Sequence, residues 1–89
     1  MAKVSTILKA RSDVAECLEQ YISACEDHIK YLRDRNDERI DEIKDENHDL
    51  SAHEIQSLIY DDWRIQSNFS DIEQEQENIK VAEDLLSCI

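Results

Sequence analysis

Apolar residues recur every three or four positions along most of the chain. The first series, which two asparagines continue, is Val14, Leu18, Tyr21, Cys25, Ile29, Leu32, Asn36, Ile40, Ile43, Asn47 and Leu50. The second series is Ile55, Leu58, Ile59, Ile65, Phe69, Ile72, Ile79, Ala82, Leu85, Leu86 and Ile89. Steps that average about 3.6 residues are the period of one helix face, so the pattern predicts two long α-helices.

The segment between the two series carries the signals of a helix start. Ser51 followed by Glu54 is a capping box, and Leu50 with Ile55 supplies the hydrophobic staple that accompanies one. Since no glycine is available, Asn47 is expected to close the preceding helix in the left-handed conformation.

These signals predict a single all-α domain over residues 1–89, a helical hairpin of two long antiparallel helices. Helix 1 is expected over about residues 5–47, the turn over 48–51 and helix 2 over about 52–88. A second capping box at Ser70 and Glu73 leaves open a break near residues 68–70, which would make three helices. Asp13 and Glu16 offer a further break that would separate a short basic helix.

A short turn forces the two helices antiparallel, so facing residues have numbers that sum to about 101. The expected pairs are Ile43 with Leu58, Leu32 with Phe69, Ile29 with Ile72, Ile22 with Ile79 and Val14 with Leu86. Both apolar stripes are wider than one partner helix can cover, because Tyr31, Tyr60 and Trp63 lie beside them. We therefore expect either a homodimer that forms a four-helix bundle or a chain that folds back into three helices, and we favour the homodimer.

Composition supports this fold class and indicates a thin core. The chain has 89 residues, no Gly and no Pro, so it lacks the usual residues of turns and strand bulges. A chain of this size buries only about 60% of the surface that its extended form exposes.

The charge is strongly acidic and unevenly distributed. The net charge is −12, but Lys3, Lys9 and Arg11 stand in a segment without acids, so the remaining residues carry −15. Binding of nucleic acid by this acidic body is excluded, because a phosphate backbone requires a positive surface. The charge instead favours a partner protein with a basic surface.

The densest run of acidic residues lies along helix 1, on the side opposite its apolar face. Its carboxylates are Asp34, Asp37, Glu38, Asp41, Glu42, Asp45, Glu46 and Asp49. We interpret them as a mimic of nucleic acid that occupies a basic groove; the alternative is an ordinary solvated helix face. Like charges four residues apart destabilise a helix by a few tenths of a kcal/mol per pair, which is a hint of function.

A second candidate for binding is the stretch Tyr60, Asp61, Asp62 and Trp63. Two aromatic residues one helical turn apart, rimmed by acids, have the composition of an interface hot spot. The alternative interpretation is that these aromatic side chains belong to the core or to a self-association surface.

Other chemistry has little support in the sequence. Asp45 with His48 and Cys25 with His28 have the spacing of metal-ligand pairs, but the histidines lie off the apolar series, so we predict no metal and no cofactor. No nucleotide or nucleophile motif is present, which predicts a protein that is not an enzyme. The cysteines, Cys17, Cys25 and Cys88, suit free thiols, and the sequence lacks a membrane span, so we expect a cytoplasmic protein.

Two functions remain open at the level of sequence. The first is an inhibitor that occludes a basic, nucleic-acid-binding surface of a target protein. The alternative is a coiled-coil adaptor or small assembly chaperone that holds another helix on its apolar faces.

Overall fold

The protein forms a helical hairpin in which the second arm is divided in two. The computed structural model describes residues 3–89 and contains α1 (Val4–Glu46), α2 (Ala52–Asp61) and α3 (Trp63–Ser87). Helix α1 packs against α3 over most of its length, and the molecule measures 73 × 16 × 15 Å. The predicted all-α hairpin is confirmed, and residues 3–89 contain no strand.

The turn lies where the capping signals predict it. The backbone N–H of Glu54 donates to the Ser51 hydroxyl at 3.2 Å, and that hydroxyl donates to the Glu54 carboxylate at 3.0 Å. The expected left-handed conformation of Asn47 is wrong, because its φ is −130° and its ψ is 38°. Instead, both the amide group and the backbone N–H of Asn47 donate to the Ile43 carbonyl, at 2.9 and 3.1 Å, so the helix end is satisfied without a positive φ.

The second arm breaks at Asp62, and neither break considered from the sequence occurs. Asp62 has extended backbone angles, and its carboxylate accepts the N–H groups of Arg64 and Ile65 at 3.0 and 3.1 Å. Ser70 lies inside α3 and Asp13 lies inside α1. The nearby Ile72 is buried against α1, and an uninterrupted helix keeps it there.

The core is a narrow seam between α1 and α3. Ile29, Leu32 and Ile72 form its centre, and Ile79 packs against them. Ile29 meets Ile72 in the predicted register, and the ion pair of Arg39 with Asp62 lies in the same register. The remaining buried side chains are Cys25, Asn36, Ile43, Ile65 and Ala82.

Several apolar residues that the periodicity assigns to the core are largely exposed. Leu58 is 40% exposed and Phe69 is 46% exposed, although both were expected to face α1. Val14 and Tyr21 are 51% and 47% exposed. Ala15, Leu18 and Ile22 are more buried than either, so the contact face of α1 is rotated slightly from the predicted one.

Candidate protein-binding surface

The acidic stretch of α1 and the turn after it forms one exposed surface. The acidic surface comprises Asp34, Asp37, Glu38, Asp41, Glu42, Asp45, Glu46 and Asp49. All eight residues are exposed. This placement follows from the helical period, because Asn36 and Ile43 occupy the side of α1 that is buried against the rest of the molecule.

The carboxylates of this surface differ in how they are neutralised. Arg35 lies 3.2 Å from the carboxylate of Glu38, and Arg39 lies 3.0 Å from that of Glu42. In residues 3–89, no basic nitrogen lies within 4.0 Å of a carboxylate in the aspartate row, which we define as Asp37, Asp41 and Asp45. Asp34 and Glu46 lack such a partner as well, so the row is distinguished by the regular four-residue spacing of its unpaired carboxylates.

The spacing of the carboxylates is in the range of a nucleic acid backbone. Seven of them lie between Asp34 and Glu46, a length of about 18 Å at a rise of 1.5 Å per residue. That is roughly one carboxylate per 2.6 Å, between about 1.7 Å per charge in duplex DNA and about 3.4 Å in one of its strands. Arg35, Arg39 and Lys44 lower the net density below this value.

Asp62 belongs to the fold rather than to this surface. Its side chain is only 8% exposed, and its Oδ2 accepts a hydrogen bond from Arg39 Nε at 2.9 Å while Oδ1 caps α3. Burial raises the pKa of the Asp62 carboxyl, but hydrogen bonds from the Ile65 N–H and from Arg39 outweigh burial, so that the pKa lies below its ordinary value. An Asp62 engaged in this way has little capacity left for a partner protein.

Tyr60 and Trp63 are both 73% exposed but lie on different surfaces. The chain leaves the helical conformation at Asp62, so the two residues belong to different helices rather than to consecutive turns of one helix. Tyr60 lines a groove with Ile40 and Phe69, whereas Trp63 lines a separate depression. The stretch is therefore not a single aromatic cluster.

The depression beside Trp63 adjoins the acidic surface. Its volume is about 300 Å³, and Glu46, Leu58 and Asp61 line it together with the indole ring. The guanidinium carbon of Arg64 lies 5.6 Å from the centre of that ring, within the range of a cation–π contact. Asp62, Arg39 and Arg64 also line it, so an exposed aromatic side chain shares this part of the surface with three carboxylates and two guanidinium groups.

Sequence reasoning missed an apolar groove on the opposite side of the turn. Its volume is about 710 Å³, and its apolar lining includes Ile40, Ile55, Ile59 and Phe69. The available signal was the excess of apolar residues in α2, which is too short to bury all of them against α1. No buried residue is found in α2.

Two histidines and the buried cysteine interact with acidic side chains of the protein. His48 contacts Asp49 at 3.4 Å, and His28 contacts Glu75 at 3.6 Å. Burial, followed by the effect of Glu75, raises the pKa of the Cys25 thiol, which disfavours a reactive thiolate. The side chains of residues 3–89 include no group of three or more His, Cys, Asp and Glu placed to hold a metal ion.

None of the helices formed by residues 3–89 combines the length and the apolar character that crossing a membrane requires. Comparison with protein families, with curated proteins and with solved structures gives no match to this chain.

Proposed function

We propose that this protein is a non-enzymatic inhibitor that binds a basic, nucleic-acid-binding surface of a target protein and occludes it. The observation that carries this proposal is the aspartate row, whose three carboxylates are exposed and without a basic partner within residues 3–89. A basic groove would supply the missing cations and would attract the row from a distance.

Repulsion between the carboxylates of the aspartate row supports a role for the row outside the fold. Each pair of like charges four residues apart costs a helix roughly 0.2–0.5 kcal/mol, and the row contains two such pairs. Asp37, Asp41 and Asp45 form no ion pair within residues 3–89 that would offset this cost. A partner that neutralises the row would offset it on binding.

Trp63 supports the proposal as an anchor beside the charges. Rim charges chiefly speed association, whereas large aromatic side chains that become buried supply most of the affinity of an interface. Trp63 is 73% exposed and lines the same depression as Glu46 and Asp61. The proposed site therefore consists of the acidic surface, Asp61 and Trp63, while Asp62 serves the fold and Tyr60 lies on another surface.

The test is a comparison of variants in binding and displacement. The protein is immobilised, proteins from the native host are bound at low and at high salt, and each recovered protein is identified and purified. We expect a nucleic-acid-binding protein recovered at low salt only, and we expect this protein to displace DNA or RNA from it. The triple variant Asp37→Asn, Asp41→Asn and Asp45→Asn should bind it about tenfold or more weakly.

A matched control separates the position of the charges from their number. Glu73→Gln, Glu77→Gln and Asp84→Asn remove three exposed carboxylates from α3 and change the net charge by the same amount. This control should retain binding and displacement. Equal loss in both triple variants, or binding that persists at high salt and ignores nucleic acid, would contradict the proposal.

A second candidate function is that of an adaptor or assembly chaperone that holds a helix of another protein. The exposure of Tyr60 and Trp63, together with the groove beside Tyr60, favours this candidate. It requires that Trp63→Ala or Tyr60→Ala weakens recovery of the partner while the triple aspartate variant leaves it unchanged.

A further inference from the structure

Helix α1 carries a second, mostly apolar seam that the rest of residues 3–89 leaves exposed, apart from a contact of His28 with Glu75 of α3. This flank seam consists of Ile7, Ala10, Val14, Cys17, Tyr21, Ala24, His28 and Tyr31. Its steps alternate strictly between three and four residues, which is the spacing of a coiled-coil seam. All eight residues are exposed, whereas the seam of Leu18, Cys25 and Leu32 faces α3.

The angle between the two seams suits a four-helix bundle. At about 100° per residue, the flank seam lies roughly 90° around α1 from the buried seam. In a bundle of four helices, each helix contacts two neighbours that lie in about these two directions. The first neighbour of α1 is α3, and the flank seam faces the position of the second.

Helix α3 contributes apolar residues to the same side of the hairpin. Tyr31 of the flank seam shares a depression with Ser67, and Val81 lies two heptads after Ser67 on the same side of α3. Val81 is 50% exposed and Leu85 is 51% exposed. Ile89 lies beside Ile7 and Val14, so the apolar surface continues from one helix to the other.

The order of side-chain sizes along the flank seam specifies how a second copy fits. Ala10, Cys17 and Ala24 alternate with the larger Val14, Tyr21 and His28. In an antiparallel pair centred near residue 19, facing residues sum to about 38. Val14 then faces the partner's Ala24, and Tyr21 faces the partner's Cys17, so large side chains meet small ones in the middle of the seam, while Ile7 and Tyr31 face each other at its ends.

The exposed area is larger than a compact monomer of this mass would have. The chain exposes 6923 Å², whereas a folded monomer of 10.5 kDa is expected to expose about 5,400 Å². The excess of about 1,500 Å² exceeds the roughly 800 Å² per partner that a standard interface buries. The excess goes with the elongated shape of 73 × 16 × 15 Å, and a standard interface with a second copy fits within it.

Electrostatics selects the antiparallel orientation. The acidic surface begins at Asp34, just beyond the last residue of the flank seam. A parallel pair would place the two acidic surfaces side by side, whereas an antiparallel pair directs them to opposite ends of the dimer. At 1.5 Å per residue, the Asp41 residues of the two copies would then lie about 66 Å apart along the axis.

We propose that a second copy of this chain packs antiparallel on the flank seam and forms a four-helix bundle with it. This proposal is independent of the proposed function, since it uses a different length of α1. Its test is the concentration dependence of the molecular mass by sedimentation equilibrium, with wild type and two variants. Ala24→Arg puts a large cation where a small residue is required and should weaken dimerisation about tenfold or more.

Ser23→Arg is the matched control, because it makes the same change of charge one residue earlier on an exposed side away from the seam. It should dimerise like wild type, and circular dichroism should show equal helix content in all three proteins. A wild type that remains monomeric at all concentrations would overturn the proposal. So would a dimer that both variants weaken equally, or that neither weakens.

The orientation of the two copies can be measured separately, as the distance between spin labels. A spin label at Asp34→Cys, in a background of Cys17→Ser and Cys88→Ser, should give a distance of about 45 Å between copies in the antiparallel dimer. A parallel dimer would bring the labelled helices to about 10 Å between their axes. The short distance would overturn the antiparallel arrangement.

Discussion

At the scale of single residues, Asp62 connects two helices of the molecule. One carboxylate oxygen caps α3 through the N–H groups of Arg64 and Ile65, and the other binds Arg39 of α1. The cap is a local feature that an aspartate in the sequence permits. The ion pair is not local, because Arg39 stands 23 residues earlier and meets Asp62 only when the hairpin closes. From the sequence pattern alone, Asp62 was therefore predicted to be one more acid of a binding surface.

We expect Asp62→Ala to destabilise the protein by about 2 kcal/mol, since it removes an N-cap worth about 1 kcal/mol and the partner of Arg39. Asp62→Asn keeps the cap and should lose distinctly less. For a domain of this size, each kcal/mol corresponds to about 4–8 °C in Tm, so thermal unfolding followed by circular dichroism resolves the two variants. Equal losses in both would mean that the cap contributes nothing.

The comparison of wild type with Asp62→Asn also gives the sign of the pH dependence of stability. The pKa of Asp62 is lower in the folded protein than its ordinary value, so the stabilisation is present above the unfolded value of about 3.9 and is lost as pH falls through the folded value. The stability difference between wild type and Asp62→Asn should therefore shrink below about pH 4. A difference that grows on acidification would contradict the lowered pKa.

At the scale of secondary-structure elements, two serines show what a motif can and cannot predict. Ser51 and Ser70 are each followed three residues later by glutamate, yet only Ser51 begins a helix. The difference comes from tertiary packing. Ile72 packs on Ile29 and Leu32 of α1, and this contact favours an unbroken α3. The helical period was sufficient to predict the long helices, whereas it gives no sign of the cap at Asp62 or of its ion pair with the distant Arg39.

We expect Ser51→Ala to lower the free energy of unfolding by about 1 kcal/mol, because the N–H of Glu54 loses its acceptor. Ser70→Ala should change it by less than about 0.5 kcal/mol, since Ser70 is exposed within a helix and alanine favours that conformation. Urea unfolding of both variants checks the pair. A larger loss from Ser70→Ala would place a helix boundary there after all.

A buried polar pair bears on how the elements find their register. Asn36 is 3% exposed, and its Oδ1 accepts a hydrogen bond from Asn68 Nδ2 at 2.8 Å. Within residues 3–89, the Asn36 amide nitrogen makes no hydrogen bond. A single buried asparagine in an apolar seam typically fixes register at some expense of stability, because a slipped register would bury it without any partner. The pairing of Asn36 with Asn68 could not be read from the helical period alone.

At the scale of the whole molecule, charge and apolar surface occupy separate regions. The flank seam spans residues 7–31, more than half of α1, and the acidic surface begins beyond it at Asp34. The sequence predicted both an acidic surface and an excess of apolar surface. It could not show which apolar residues lie together, because that depends on the rotation of α1 against α3. In the proposed dimer, the two acidic surfaces would stand at opposite ends, which suits two separate target molecules.

The acidic surface also makes a prediction about the stability of the molecule as a whole. If the aspartate row serves a partner rather than the fold, removing it should relieve repulsion within α1. We expect the triple variant Asp37→Asn, Asp41→Asn and Asp45→Asn to be more stable than wild type by about 0.5–1 kcal/mol at low salt. Asparagine and aspartate have similar helix propensities, so the change isolates the charge.

The gain should shrink in 1 M salt, where the Debye length falls to about 3 Å. The measurement is urea unfolding at low and high salt, with protein concentration held constant because self-association would shift the apparent stability. A variant less stable than wild type at low salt would show that the row stabilises the fold, and its exposure would then need no partner. A variant that gains stability while it loses binding would separate the two roles, since selection for the fold alone gives no reason to keep three unpaired aspartates on one side of a helix.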